Sequence, residues 1–238
     1  MSKNNKNKIT WLLALGLVFS GIFGVYKLAN FSPNDGGKTE TGDDAASVIL
    51  AVKENDWYKG GKEAEAVLIE YSDFQCPACR AYNPILQQLN REFGEDLKII
   101  YRHFPLFQIH SNAILAAEAA EAAGREGKFW EMHDQIFNGQ EEWEKSPGAK
   151  EIFKNYALSL GLSGEKFLAD LDSKEVKERV SADLKEAQNL GFDYTPTFIL
   201  VRRSLGEGGI NGKKIENPKS YEEFKELISQ TLLQSEKD

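Results

Sequence analysis

The sequence predicts an α/β domain: a mixed sheet flanked by helices, interrupted by a helical insertion and preceded by a transmembrane helix. Three observations carry that expectation. Two apolar, β-branched runs, "AVLIEYSDF" (66–74) and "LKIIYRHF" (97–104), bracket a helical pattern from Pro77 to Phe93, the strand–helix–strand order of a parallel unit. A third apolar run, "YTPTFILV" (194–201), returns only after a long stretch of helical periodicity. Between the first strand and its helix stand Cys76 and Cys79, the only cysteines in 238 residues.

Residues 1–29 are read as a basic tip and a membrane segment. Lys3, Lys6 and Lys8 precede the apolar run from Ile9 to Tyr26, and Lys27 closes it. A cleaved signal peptide and an uncleaved anchor both fit this pattern. An h-region spans about 7–15 residues and ends in small residues. Here 18 positions are apolar or small and no A-x-A site follows, which favours the anchor, since a span needs roughly 17–25 residues. Lysines ahead of the span put the N-terminus in the cytoplasm and the rest on the extracytoplasmic side. The expected location is therefore the cell membrane, single-pass, with the folded domain outside.

Residues 30–47, rich in Gly, Asp, Ser and Thr without an apolar period, read as a flexible linker. The folded domain is expected over 48–238. Val48–Val52 is a candidate first strand, and Gly94 is a natural stop for the helix that opens at Pro77, with Pro84 expected to kink it. The helical insertion spans about 108–191: Ser111–Trp143, Ala149–Gly161, Ser163–Leu171 and Ser173–Leu190 carry the pattern, punctuated by Gly161, Gly164 and Gly191. After the third strand come a Gly-rich interval, "NGKKI" (211–215) with its Asn-Gly turn signal, and an amphipathic helix from Pro218 to Leu233.

A formal charge of −8 leaves no basic excess for phosphates, so nucleic acid is excluded as a partner class. The cysteines admit three readings: a structural bridge, half of a metal site, or a redox pair. A bridge across so small a loop restrains the unfolded chain little. A structural zinc wants four ligands, yet no second CxxC exists, and His103, His110 and His133 lack metal-binding spacing. Redox chemistry fits best. Residues three apart at a helix start share one face, and the unpaired amides and macrodipole there favour a thiolate. Cys76 is then the exposed reacting sulfur and Cys79 the buried resolving thiol, with Pro77 suited to the first helical turn and Ala78 adding no charge. No cofactor beyond the disulfide is required.

Glu70 lies in the apolar strand leading to Cys76. It is either paired or at an exposed end, or it is an acid beneath the thiols that exchanges a proton with Cys79. Asp73 is expected to cap the turn into the helix. Thr195-Pro196 opens the third strand, and most such bonds are trans.

Together, "YSDFQCPACRAYNP", "YRHFPL" followed by His110, "GKFWEMHDQIF" and "YTPTFIL" resemble the DsbA-like branch of the thioredoxin superfamily, from about Val67 to the C-terminus. The resemblance implies a thioredoxin-like fold with a helical insertion and protein thiol–disulfide oxidoreductase activity. It implies that Pro196 is cis and sits against Cys76, that Thr195 presents backbone to an extended substrate, and that Glu70 is the family's acid six residues before the first cysteine. The implied partners are exported proteins with free thiols and a quinone-linked membrane enzyme that re-oxidises the pair. Two features depart from the family. Ala78 replaces a frequent histidine, and Val201–Ile210 lengthens a normally tight hairpin, placing Arg202 and Arg203 where a partner could meet them. A reductase or isomerase of the same fold, and a non-catalytic tethered chaperone, are the alternative readings.

Overall fold

The computed structural model describes residues 47–203, 210–215 and 220–233. The apolar segment from Ile9 to Tyr26, nearly all of the 30–47 linker, and 204–209 of the lengthened hairpin lie outside the described residues. Among the described residues no helix is long and apolar enough to cross a membrane.

A six-stranded sheet organises the domain in the order β1-β6-β5-β3-β4-β2. Its strands are β1 (Ser47–Leu50), β2 (Trp57–Gly60), β3 (Ala66–Ser72), β4 (Leu97–His103), β5 (Thr197–Arg202) and β6 (Ile210–Ile215). Every residue of β3 is buried, as expected of a central strand with both faces covered. β3 runs parallel to β4, with Glu70 opposite Tyr101, and antiparallel to β5, with Tyr71 opposite Thr197. The second pairing brings the start of β5 to the end of β3, where the cysteines follow.

Helix α1 (Pro77–Phe93) connects β3 to β4 without a break, Pro84 included. The insertion supplies α2 (Ala113–Gly124), α3 (Phe129–Asn138), α4 (Gln140–Trp143), α5 (Ala149–Ser159), α6 (Gly164–Leu171) and α7 (Lys174–Asn189), and α8 (Tyr221–Leu233) follows β6. Local chemistry sets several of these ends. The Ser163 and Ser173 hydroxyls accept from the amides of Lys166 and Val176, capping α6 and α7. Gly161 and Gly191, at φ 81° and 72°, terminate α5 and α7 in a conformation that side chains resist.

Three apolar clusters hold the layers together. Ala66, Leu68, Leu86, Leu89, Phe198 and Phe224 join one face of the sheet to α1 and α8. Val67, Ile69, Ile100, Ala187 and Phe192 join the other face to α7. The third runs from Phe74, Cys76 and Cys79 through Tyr101 into the alanine-rich α2 and the aromatic side chains of α3 to α6. The insertion thus shares one continuous core with the thiol pair.

One strand lies outside the sequence expectation. β2 is a four-residue edge strand antiparallel to β4, and its Trp57 stacks on Phe129 with ring centroids 4.4 Å apart. Arg202 and Arg203 also differ in consequence. Arg202 pairs with Ala66 in the register, at the sheet end opposite the cysteines, and Arg203 forms an ion pair with Glu63 there.

Candidate active site

Cys76 is the N-cap of α1, with φ −75° and ψ 122°, and Pro77 is its first helical residue. The chain reaches this position through a tight turn. The Cys76 amide donates to the Asp73 carbonyl at 3.0 Å, and the Gln75 amide donates to Asp73 Oδ1 at 2.7 Å. Asp73 therefore caps the turn, while α1 itself has no side-chain cap. Its other carboxylate oxygen accepts from the Leu106 amide at 2.8 Å and meets His110 Nδ1 at 2.7 Å. The segment after β4 is thereby tied to the turn before the thiols.

The insertion grips the same turn. Gln140 Nε2 donates to the Phe74 and Cys76 carbonyls at 2.7 and 3.1 Å. Gln75 donates to the Glu144 carbonyl and accepts from the Asn112 amide, each at 2.8 Å. Gln75, Asn112 and Gln140 are not identifiable as site residues by spacing, since each acts through a backbone group distant in sequence, and His110, part of the family resemblance, acts through the Asp73 carboxylate.

Cys76 is 8 % exposed and Cys79 fully buried, and both are free thiols. Cys76 is thus more covered than an open reacting sulfur would be, because the Thr195 loop packs on it: its sulfur lies 3.4 Å from the Thr195 carbonyl oxygen. The Thr195–Pro196 bond is cis, as the resemblance implies and against the trans expectation from frequency alone. Pro77 and Ala78 are exposed beside Cys76.

The electrostatics separate the two sulfurs. Cys76 is lowered to about 6, first by the hydrogen bond from Cys79, then, against the opposing effect of burial, by the Thr195 side chain and the Cys79 and Ala78 amides. Cys79 is pushed well above its ordinary value by burial and by the anionic character of Cys76 and Glu70. The Asp73 amide donates to its sulfur at 3.4 Å. Glu70 is buried on the α1 face, and desolvation raises it to about 7, partly offset by the Ser72 hydroxyl and reinforced by Cys76. A poised thiolate, a protonated partner and an acid titrating near neutrality are therefore neighbours.

The thioredoxin family model Thioredoxin_4 matches residues 53–230. The chain belongs to this thioredoxin family. Among solved structures, the thioredoxin-family chain is similar to BdbD from Bacillus subtilis, with TM-score 0.66 and 24 % identity over 80 % of this chain and 99 % of that one. It is also similar to α-DsbA1 from Wolbachia pipientis, with TM-score 0.64 and 21 % identity over 76 % and 92 %. Its fold is therefore the DsbA-like thioredoxin fold with a helical insertion. Among curated proteins, it is 35 % identical over 167 residues to a protein named Na(+)/H(+) antiporter NhaA 1 from Mycolicibacterium gilvum. It is 40 % identical over 152 residues to one named Na(+)/H(+) antiporter NhaA from Herminiimonas arsenicoxydans. The match covers 69 % and 64 % of this thioredoxin-family chain, which spans about a quarter of the length of those relatives.

His103 and His133 lie deeper. His103 Nε2 meets Glu121 Oε1 at 2.9 Å inside the core, and His133 is buried with Nδ1 2.8 Å from Asp134. No group of side chains able to hold a metal ion occurs among the described residues.

Proposed function

We propose that this chain is a membrane-tethered thiol–disulfide oxidoreductase that forms disulfides in exported proteins on the extracytoplasmic side. The observation that carries the reading is the split between Cys76, lowered to about 6, and buried Cys79, raised well above its ordinary value, on one helical turn against the cis Thr195–Pro196 bond. The family membership and the fold shared with BdbD and α-DsbA1 support it. The antiporter name belongs to much longer relatives and is not carried over.

In the oxidised protein, a substrate thiolate attacks Cys76. The Cys76–Cys79 bond breaks, a mixed disulfide forms, and Cys79 leaves as a thiolate that takes a proton from Glu70. A second substrate thiolate then attacks the substrate sulfur of the mixed disulfide, and Cys76 leaves as the stabilised thiolate. Two electrons pass from two substrate thiols to the cysteine pair, and a quinone-linked membrane enzyme is the proposed acceptor for their return. Thr195 and Pro196, with exposed Pro77 and Ala78, frame the place where an extended substrate lies, a β-augmentation contact. The reading assigns residues 1–29 to the anchor, 30–47 to the tether and 48–238 to the catalytic domain.

A low thiolate pKa stabilises the reduced form and makes the disulfide a stronger oxidant. The deciding experiment measures dithiol oxidation with Cys76→Ser and Cys79→Ser. The first should abolish exchange, and the second should accumulate mixed disulfides with substrate. Full activity in Cys76→Ser overturns the mechanism. A couple near about −120 mV supports oxidation, whereas one near about −270 mV reverses the direction to reduction.

A further inference from the structure

The proposed chemistry leaves Glu70, a buried residue, without the proton it has given to Cys79. Glu70 is 3 % exposed and lies beneath the thiols, so each proton it gives to Cys79 must be replaced from solvent. Beside it is a cavity of about 20 Å³ lined by Glu70, Asn83, Tyr101, His133, Trp130 and Lys59, among others. That volume holds about one water. The Tyr101 hydroxyl, 1 % exposed as a residue, has no hydrogen bond of ordinary geometry among the described residues and lies near the Ser72 hydroxyl, and a buried hydroxyl so placed beside a cavity of this size is the usual sign of a water site.

On the far wall, helix α3 presents His133. Its Nδ1 is 2.8 Å from Asp134 Oδ1. With the proton on Nδ1 and donated to that carboxylate, Nε2 is left as the ring nitrogen available as an acceptor; in the other tautomer Nε2 carries the proton. Asp134 in turn pairs with Lys59 Nζ at 3.6 Å, and both side chains reach solvent, with 34 % and 24 % exposure respectively. Burial lowers His133, opposed by Asp134 and reinforced by Lys59 and His103, so the resting ring is neutral and any protonated form is transient.

We propose that His133, with Asp134 and Lys59, is the solvent end of a proton relay that reaches Glu70 through the water-sized cavity. The inference rests on the proposed oxidoreductase chemistry and gives the helical insertion a part in it. The transfer balances simply. Cys79 leaves as a thiolate and becomes a thiol as Glu70 becomes a carboxylate; starting from its Nε2–H tautomer, the His133 ring takes one proton on Nδ1 from the surface side, becomes a transient imidazolium and releases the Nε2 proton to the cavity, where it reaches Glu70, so that the ring returns to neutral. During re-oxidation of the pair the proton runs the other way. The charged and titratable groups facing this path are Lys59 from β2, Glu70 from β3, Cys79 from α1, Tyr101 and His103 from β4, and Asp134 from α3.

His133 is a positioning and relay group rather than one that touches substrate. Its test is therefore the pH profile and solvent isotope effect of the Cys79-dependent step, followed by stopped flow from a preformed mixed disulfide between Cys76 and a small thiol. General acid–base groups contribute roughly 10²–10⁴-fold, and a relay one step removed is expected to slow this step about tenfold in His133→Gln. The isotope effect should rise, the pH midpoint should move, and the Cys76 thiolate absorbance titration should stay in place. Asp134→Asn, at a half-exposed position, should act in the same direction and serves if His133→Gln does not fold. Glu70→Gln combined with either should be no slower than Glu70→Gln alone. Wild-type rate and pH profile in the folded His133 or Asp134 variant overturn the relay, as do losses that multiply with Glu70→Gln. The wild type decides the underlying reading separately: if it exchanges no disulfide, both proposals fall, whereas if it exchanges and only the variant data fail, the oxidoreductase reading stands.

Discussion

The sulfur of Cys76 lies 3.4 Å from the carbonyl oxygen of Thr195, a residue 119 positions away. The sheet makes this contact. β5 pairs antiparallel with β3, Tyr71 opposite Thr197, so the loop before β5 must close over the turn after β3. The insertion between β4 and β5 can be long because both of its ends return to the same end of β3, where Ser72 pairs with His103 and Tyr71 with Thr197. One contact follows from another: the helix start holds the sulfur as an anion, and the cis Thr195–Pro196 bond covers it.

The first consequence is an ionisation near pH 6. The folded value for Cys76, about 6, lies below the ordinary 9.0, so deprotonation favours the folded reduced protein. This stabilisation is complete above pH 9 and is lost as pH falls through 6. Thiolate absorbance of the reduced protein should rise with a midpoint near 6 from one sulfur only, since Cys79 is held high. A midpoint at the value of free cysteine would remove the basis of the proposed oxidation.

Thr195→Val should raise that midpoint. The Thr195 hydroxyl is buried, has no hydrogen bond of ordinary geometry among the described residues, and lies close enough to Cys76 to contribute to lowering it. Valine keeps the shape and removes only the polar group. Absorbance titration and the reduction potential should move together, toward a higher pKa and a weaker oxidant. An unchanged titration would assign the effect to the backbone amides of α1 alone.

Much of this arrangement is legible in the sequence. Strands β3 and β4 announce themselves by unbroken apolar runs, α1 by its period and its Cys-Pro start, α6 and α7 by serine caps, and α5 and α7 by a closing glycine. β2 does not. "WYKG" is short, half-exposed and ends in glycine, and it becomes a strand only because β4 offers an edge and Phe129 offers a ring for Trp57. Gln140 is equally silent, and His133 is visible only as part of "GKFWEMHDQIF", because a polar residue on a helix of an insertion acquires its role only when the helix packs on elements distant in sequence. Glu70 stands between these cases: its position within an apolar run is visible, but its burial beneath Cys79 is a tertiary fact.

Glu70→Gln should separate stability from activity. The carboxyl is raised from 4.5 to about 7, chiefly by desolvation. Its folded pKa exceeds the unfolded one, so its contribution is most favourable below 4.5 and is lost as pH rises through 7. Above pH 8 the buried carboxylate costs on the order of 3 kcal/mol at about 1.4 kcal/mol per unit. The glutamine variant should therefore unfold at higher urea than the wild type at pH 8, with little difference at pH 4.5, while its Cys79-dependent step slows by roughly 10²-fold. Lower stability at pH 8 would mean that the carboxylate has a favourable partner after all.

Arg102→Met tests the opposite face of the sheet. The guanidinium is fully buried and grips Asp56 twice, at 3.0 and 2.7 Å, while also reaching the Ala51 carbonyl, the Tyr71 hydroxyl and Glu186. It ties the β1–β2 connection to α7. Removing one partner of a buried pair costs about 3–5 kcal/mol because the other charge is left without compensation, and Arg179, 4.0 Å from Asp56, restores only part of it. Urea unfolding should show a loss of that order. Adding Asp56→Leu should recover much of the loss, since the stranded carboxylate is then gone. Arg102 neighbours Tyr101 in β4 but faces away from Glu70, so the Cys76 titration should not move in either variant. A Cys76 midpoint that shifts with Arg102 would mean that the charge network behind the sheet reaches the thiols through β4.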